Sequence, residues 1–162
     1  MEFIQREFKR EDFEILWDID QKCFSPGISY SRLELAAYIR RRGSLTIVAE
    51  SLGAKGGTEK QIVGFIVAEV DRRGIGHIIT IDVVAAARRS GVGSGLLAAA
   101  EDQLRAVRCR GVRLETAVDN LGALAFYKRH GYFLERIVPH YYSNGVDALI
   151  LRKDLLPQAK SS

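Results

Sequence analysis

Cysteine is scarce in this sequence: Cys23 and Cys109 are the only two in 162 residues. Two cannot build a disulfide framework, so a reducing, cytoplasmic compartment is the simplest expectation, with each thiol a small buried hydrophobe. Long apolar runs are missing as well, and the opening Met1-Glu2-Phe3-Ile4-Gln5-Arg6-Glu7 lacks the basic-then-apolar order of an export signal. Neither secretion nor a membrane partner is expected. No Cys, His and carboxylate residues fall at metal-ligand spacing, so no metal is expected. Nucleic-acid-binding motifs are absent too, and DNA is not an expected partner. The basic clusters Arg40-Arg41-Arg42 and Arg105, Arg108, Arg110 read as solvated faces, the first offsetting a helix dipole.

What is present is ordinary globular material, 47% apolar and 27% charged with a net charge of +4. It suffices for one domain over residues 1–156, with a frayed, disordered tail from Pro157. Phe3 to Phe8, Leu45 to Glu50, Ile62 to Val70, His77 to Val84, Val112 to Val118, Phe133 to Tyr142 and Val146 to Lys153 read as strands. Phe13, Leu16, Trp17 and Asp20 mark one stripe of a helix from about Glu11 to Cys23, and Ser31 with Glu34 makes the capping box of a second that stops at Gly43. Ser51 to Lys60 reads as a mobile hairpin loop, and Asn144-Gly145 as the hairpin turn between the last two strands. A third helix carries Leu96, Leu97, Ala100, Leu104 and Val107 and is ended by Gly111. Asp119 or Asn120 caps a fourth that stops at His130-Gly131. The expected fold class is α/β (α+β): a single mixed, mostly antiparallel sheet of about seven strands with helices on both faces, strands 4 and 5 parallel through a βαβ unit.

Between the fourth strand and the third helix lies Arg88-Arg89-Ser90-Gly91-Val92-Gly93-Ser94-Gly95. The first N–H groups of a helix lack partners and its dipole is positive there, so an anion is favoured. Glycines let the backbone approach a phosphate, and the arginines add charge. Taken alone, the cluster also reads as a tight strand-to-helix turn.

Two segments narrow the reading. Arg88-x-x-Gly91-x-Gly93 after a strand, and Asn120 followed by Ala123 and Ala125-Phe126-Tyr127-Lys128-x-x-Gly131-Tyr132, resemble the signature segments of the GNAT acetyltransferase superfamily. Gly76-His77-Ile78, Leu114-Glu115 and Tyr141-Tyr142 are similar to the RimI-type and related N-terminal protein acetyltransferases within it. The resemblance implies acetyl-CoA as donor and strands 4 and 5 that splay apart. It implies a diphosphate anchor at Arg88, Arg89, Ser90, Gly91, Val92, Gly93, Ser94 and Gly95, a pantetheine edge at Ile81, Asp82 and Val83, and a cofactor hydrogen bond from Asn120. By the same resemblance Glu115 is the general base, His77 is the second candidate for that role, and Tyr127 gives a proton to the departing thiolate. Phe24, Pro26, Ile28, Tyr30, Tyr141 and Tyr142 would form the acceptor groove. Asp82, where alanine is common, and the long loop from Gly53 to Lys60 depart from the family pattern.

The activity implied is acetyl transfer to the α-amino group of a protein or peptide N-terminus, a ribosomal protein being one candidate, by direct attack in a ternary complex formed by a monomer or weak homodimer. Each residue also has a plainer reading: Glu115 as an ion-pair partner of Arg113, His77 as structural, Tyr127 as core. A small-molecule amine or lysine N-acetyltransferase and a non-catalytic CoA-binding regulatory module stay open. A dinucleotide-binding domain is disfavoured, because no acidic residue ends the next strand in the expected place.

Overall fold

The computed structural model describes residues 2–53 and 60–156; most of the expected hairpin loop and the tail from Pro157 lie outside them. The strands are β1 (Phe3–Glu7), β2 (Ser44–Ser51), β3 (Gln61–Val70), β4 (Ile75–Val83), β5 (Gly111–Ala117), β6 (Phe133–Val138) and β7 (Ala148–Asp154). They form one mixed sheet in the order β1-β2-β3-β4-β5-β7-β6, in which only β4 and β5 run parallel. The helices are α1 (Phe13–Cys23), α2 (Arg32–Arg40), α3 (Val92–Ala106) and α4 (Leu121–Arg129). No helix among the described residues is long and apolar enough to cross a membrane.

Two apolar layers sandwich the sheet. Leu96, Leu97, Ala100 and Leu104 of α3 pack on Ile47, Ile66, Ile78, Val112 and Leu114 on one face. Leu16 and Ile19 of α1 and Leu35 of α2 pack on Val48, Phe65 and Val67 on the other. Covered on both sides, β3 is buried without interruption from Val63 to Ala68, which explains its unbroken apolar run. The expected capping box holds α2: Ser31 Oγ accepts the Glu34 N–H at 3.1 Å, and Glu34 Oε1 accepts the Ser31 N–H at 3.0 Å.

Two features of β4 shape the site. A bulge at Ile79, between the pairs Ala68–Ile78 and Val67–Thr80, turns the strand. Pairing with β5 is confined to Ile75–Gly111, Gly76–Val112 and His77–Arg113, and beyond them the two strands part.

Some expected boundaries move. Gly111 opens β5 and does not end α3, which stops at Ala106; the turn is made by Arg108 at φ 64. Strand β6 ends at Val138, because Pro139 has no N–H for the ladder and His140 takes a left-handed φ of 51. Asn144-Gly145 is therefore the tip of a loop over 139–147, closed by the Gly145 N–H on the Tyr142 carbonyl at 2.8 Å, and not a two-residue hairpin.

Candidate active site

Where β4 and β5 part, a cleft of about 870 Å³ opens. One end lies on the glycine turn. Arg89 at φ 62 and Gly91 at φ 86 are both left-handed, which curls the chain so that successive N–H groups converge, an anion-binding shape. The helical ladder of α3 starts with the Gly95 N–H on the Gly91 carbonyl, leaving the amides before it available to a ligand. A Cβ on Gly91 would meet nothing within 4 Å. The turn therefore offers an open concavity faced with donors, which fits a diphosphate.

Arg88, Arg89, Gly91, Gly93 and Ser94 line this end, whereas Ser90, Val92 and Gly95 do not. The Ser90 hydroxyl donates to the Ala87 carbonyl, and Val92 is fully buried in the core. At Gly95 a Cβ would stand 2.8 Å from Gln5 Nε2, so that glycine serves the close approach of β1. Two neighbours are new: Arg129 lines the cleft, and Ser94 Oγ lies 3.0 Å from His130 Nε2. Asn120 also lines it, but its Oδ1 accepts the Ala123 N–H at 3.1 Å as the cap of α4. Its amide NH₂ is the group left for a ligand.

Along the gap, the Val84 N–H donates to the Val63 carbonyl at 2.9 Å. Ladder bonds alternate, so the backbones of Val83 and Ile81 face the gap and that of Asp82 faces β3. Ile81 and Val83 line the cleft accordingly. Asp82 does not belong with them. Its side chain is buried beside Asp20 of α1, where Thr80 donates to its Oδ1. The two carboxyls face each other, and Asp20 Oδ2 also accepts the Tyr30 N–H at 2.8 Å. Burial pushes both upward, Asp82 the more because Asp20 repels its ionised form. Cys23 reaches the Val83 carbonyl at 3.5 Å, and burial raises its thiol, which suits it poorly to nucleophilic attack.

The other end is aromatic. Phe24, Ile28, Tyr30, Tyr141 and Tyr142 line it together with Glu115, while Pro26 points elsewhere. Tyr30 donates from its hydroxyl to the carbonyl of the bulged Ile79 at 3.2 Å. Ser143 Oγ donates to the Gly27 carbonyl at 3.1 Å, tying the α1–α2 loop to the β6–β7 loop. Tyr127 is 7% exposed and borders the cleft; its hydroxyl has no hydrogen-bond partner among the described residues. Burial, then the charge of Asp82, raises this phenol, so it keeps its proton well into alkaline conditions.

His77 and Glu115 come together, but in sequence from the cleft. Glu115 lines it; His77 does not, and stands behind with Nε2 2.6 Å from Glu115 Oε2. Burial alone would lower the imidazole, but the Glu115 and Glu69 carboxylates outweigh it and raise its proton affinity.

Known proteins resemble this chain in sequence and in fold. The acetyltransferase (GNAT) family model matches residues 13–132. An uncharacterized N-acetyltransferase of Methanocaldococcus jannaschii is 30% identical over 158 residues, covering 97% of this chain and 94% of that protein. The N-alpha-acetyltransferase MAK3 of Arabidopsis thaliana is 37% identical over 90 residues, 53% of this chain and 47% of its own, so the likeness spans about half of that relative. Among solved structures, a chain of the NatC complex bound to Gag peptide and CoA superimposes with a TM-score of 0.83 at 25% identity, over 96% of this chain and 100% of its own.

Proposed function

The chain belongs to the GNAT acetyltransferase family, as an acetyl-CoA-dependent N-acetyltransferase, and we propose that its acceptor is the α-amino group of a protein or peptide N-terminus. The observation that carries this reading is the acceptor end of the cleft, where the Glu115 carboxylate sits in a groove edged by Tyr30, Tyr141 and Tyr142 under the Ser143–Gly27 tie. Phenol hydroxyls can bond a peptide backbone while their rings pack its first side chain. Relatives named N-alpha-acetyltransferases and the peptide-bound NatC neighbour support the same class.

Acetyl-CoA supplies an activated thioester carbonyl. The amides of Arg89, Gly91, Gly93 and Ser94 would hold its diphosphate, and the free edge of β4 at Ile81 and Val83 would orient its arm, with the Val83 N–H available to the thioester oxygen. Glu115 takes the proton that the acceptor must lose. That is a modest task, because an α-amino group has a pKa of about 7.7–8.0 against about 10.4 for lysine. Tyr127, buried and protonated, holds the proton that a leaving thiolate needs. Ser94, Arg129 and His130 extend the donor end beyond the glycine turn.

Incubation with acetyl-CoA and a library of N-terminal peptides, ribosomal-protein N-termini among them, read by mass spectrometry, tests the reading. α-Acetylated peptide is the expected product. Transfer to lysine side chains or small amines alone would overturn it.

A further inference from the structure

A base that works repeatedly must shed the proton it gained. Behind Glu115 a line of charged side chains crosses the sheet face toward the end of α2. His77 Nε2 is 2.6 Å from Glu115 Oε2, His77 Nδ1 is 3.7 Å from Glu69 Oε1, and Arg41 Nη1 is 3.2 Å from that same oxygen. Glu69 is the β3 residue directly opposite His77 in the ladder, so the backbone register itself holds it there. Arg41 contacts both Glu69 oxygens, at 3.2 and 3.3 Å, and stacks its guanidinium 4.4 Å from the Tyr38 ring centroid. Arg113, the β5 partner of His77, is turned to Glu135 at 3.3 Å. Glu69 is thus aimed at the imidazole edge opposite the one that faces Glu115.

We propose that Glu69 is a positioning residue for proton removal, acting through His77. This rests on the reading of Glu115 as the base. The Glu69 carboxylate, 3.7 Å from Nδ1, favours a hydrogen there and so supports the imidazolium that forms when Nε2, 2.6 Å from Glu115, takes a proton. Glu115 takes a proton from the acceptor ammonium and passes it to Nε2. An imidazolium forms between two carboxylates and releases that proton to water at its part-exposed ring, while Arg41 keeps Glu69 in place. The acceptor leaves as an amide and is the source of the one proton delivered to solvent, while Glu115 and His77 recover their starting protonation states as the ring exchanges with water. A carboxylate that orients and supports a histidine from behind is an effective arrangement wherever an imidazole must carry charge briefly.

Two substitutions should move His77 in opposite directions. Glu69→Gln removes a facing anion and lowers the imidazole titration midpoint, and Arg41→Gln removes the cation that neutralises Glu69 and raises it, each by about 1 pH unit. NMR titration of the His77 ring reads both midpoints and the tautomer without any turnover. In the pH profile of kcat/KM with a peptide acceptor, the ascending limb shifts the same way, and Glu69→Gln lowers the plateau about tenfold, a fraction of what general-base catalysis contributes. A residue that merely braced the sheet would change thermal stability and leave midpoint, tautomer and limb in place; that result overturns the proposal. If wild-type protein leaves every peptide α-amine unmodified, the N-terminal reading falls, and the ring titration still decides the role of Glu69. Should Glu69→Gln not fold, the exposed Arg41→Gln carries the test alone, and an unmoved midpoint there is equally fatal.

Discussion

His77 and Glu115 join two diverging strands: their side chains meet at 2.6 Å just beyond the last backbone pairing of β4 with β5, His77–Arg113. The imidazole binds its proton more tightly when folded than when unfolded. The stability it contributes is therefore complete below the unfolded value of about 6.5 and is lost as pH rises through the higher folded value. Thermal denaturation of wild type against His77→Gln should give a gap that is widest near about pH 6 and narrows toward about pH 9. A gap constant with pH would mean that His77 is held by packing and not by charge.

Glu115→Gln keeps the shape of the side chain and removes its basicity. Turnover with a peptide acceptor should fall by about 10²-fold or more, with little change in acetyl-CoA affinity. Tyr127→Phe removes a hydroxyl that bonds nothing else among the described residues, so it should cost about 10- to 100-fold in kcat and almost nothing in Tm. Unchanged turnover in both would refute the roles given to them.

At Asp20 and Asp82 the sign runs the other way from an ion-paired carboxylate. Burial raises their folded values above the unfolded value of about 3.9, so the folded state holds the extra proton and loses stability as pH climbs from there toward the folded value. In Asp82→Asn the amide can still accept from Thr80 and can donate to Asp20, with no ionisation to oppose. Its Tm relative to wild type should improve as pH rises from about 4 to about 8. A relative Tm that declines over that range would mean that the ionised pair is stabilising.

The turn glycines separate by cause. Gly91→Ala forces a side chain into a left-handed backbone at φ 86 and should cost about 1–2 kcal/mol in unfolding free energy. Gly93→Ala puts a Cβ 3.5 Å from the Phe126 ring, an ordinary contact, so the fold should tolerate it while the new methyl narrows the donor end of the cleft. Its KM for acetyl-CoA should rise several-fold with Tm unchanged; calorimetric affinity and denaturation midpoints distinguish the two variants.

Much of this was legible in the sequence because it depends on local chemistry. The Ser31–Glu34 box, the β-branched run of β4 and the glycine turn each specify their own backbone, and the parallel placement of β4 and β5 follows from a helix between two strands. What escaped was whatever depends on partners far along the chain. Asp82 reads as part of the gap edge because it lies between Ile81 and Val83, yet strand alternation turns it toward Asp20, more than sixty residues earlier. Gly95 looks like a third phosphate glycine until β1 is seen against it. Glu69 gives no signal at all: one glutamate near the end of an apolar strand becomes informative only when the register sets it opposite His77. The Asn144-Gly145 turn forms at those residues, but Pro139 ends the strand that would have reached it, so it tips a loop and not a hairpin.

The short seam between β4 and β5 has a mechanical consequence. Among the described residues the ladder between a four-stranded block, β1 to β4, and a three-stranded one, β5, β7 and β6, is confined to Ile75–Gly111, Gly76–Val112 and His77–Arg113, with the Arg110 N–H on the Gly74 carbonyl at 3.1 Å at its closed end. The molecule is built like two leaves on a single hinge at one end. A ligand arm laid between the leaves would act as the missing rung, and occupancy by the donor would stiffen the walls that the acceptor must find already in place. Donor first and acceptor second is the binding order that such a hinge favours.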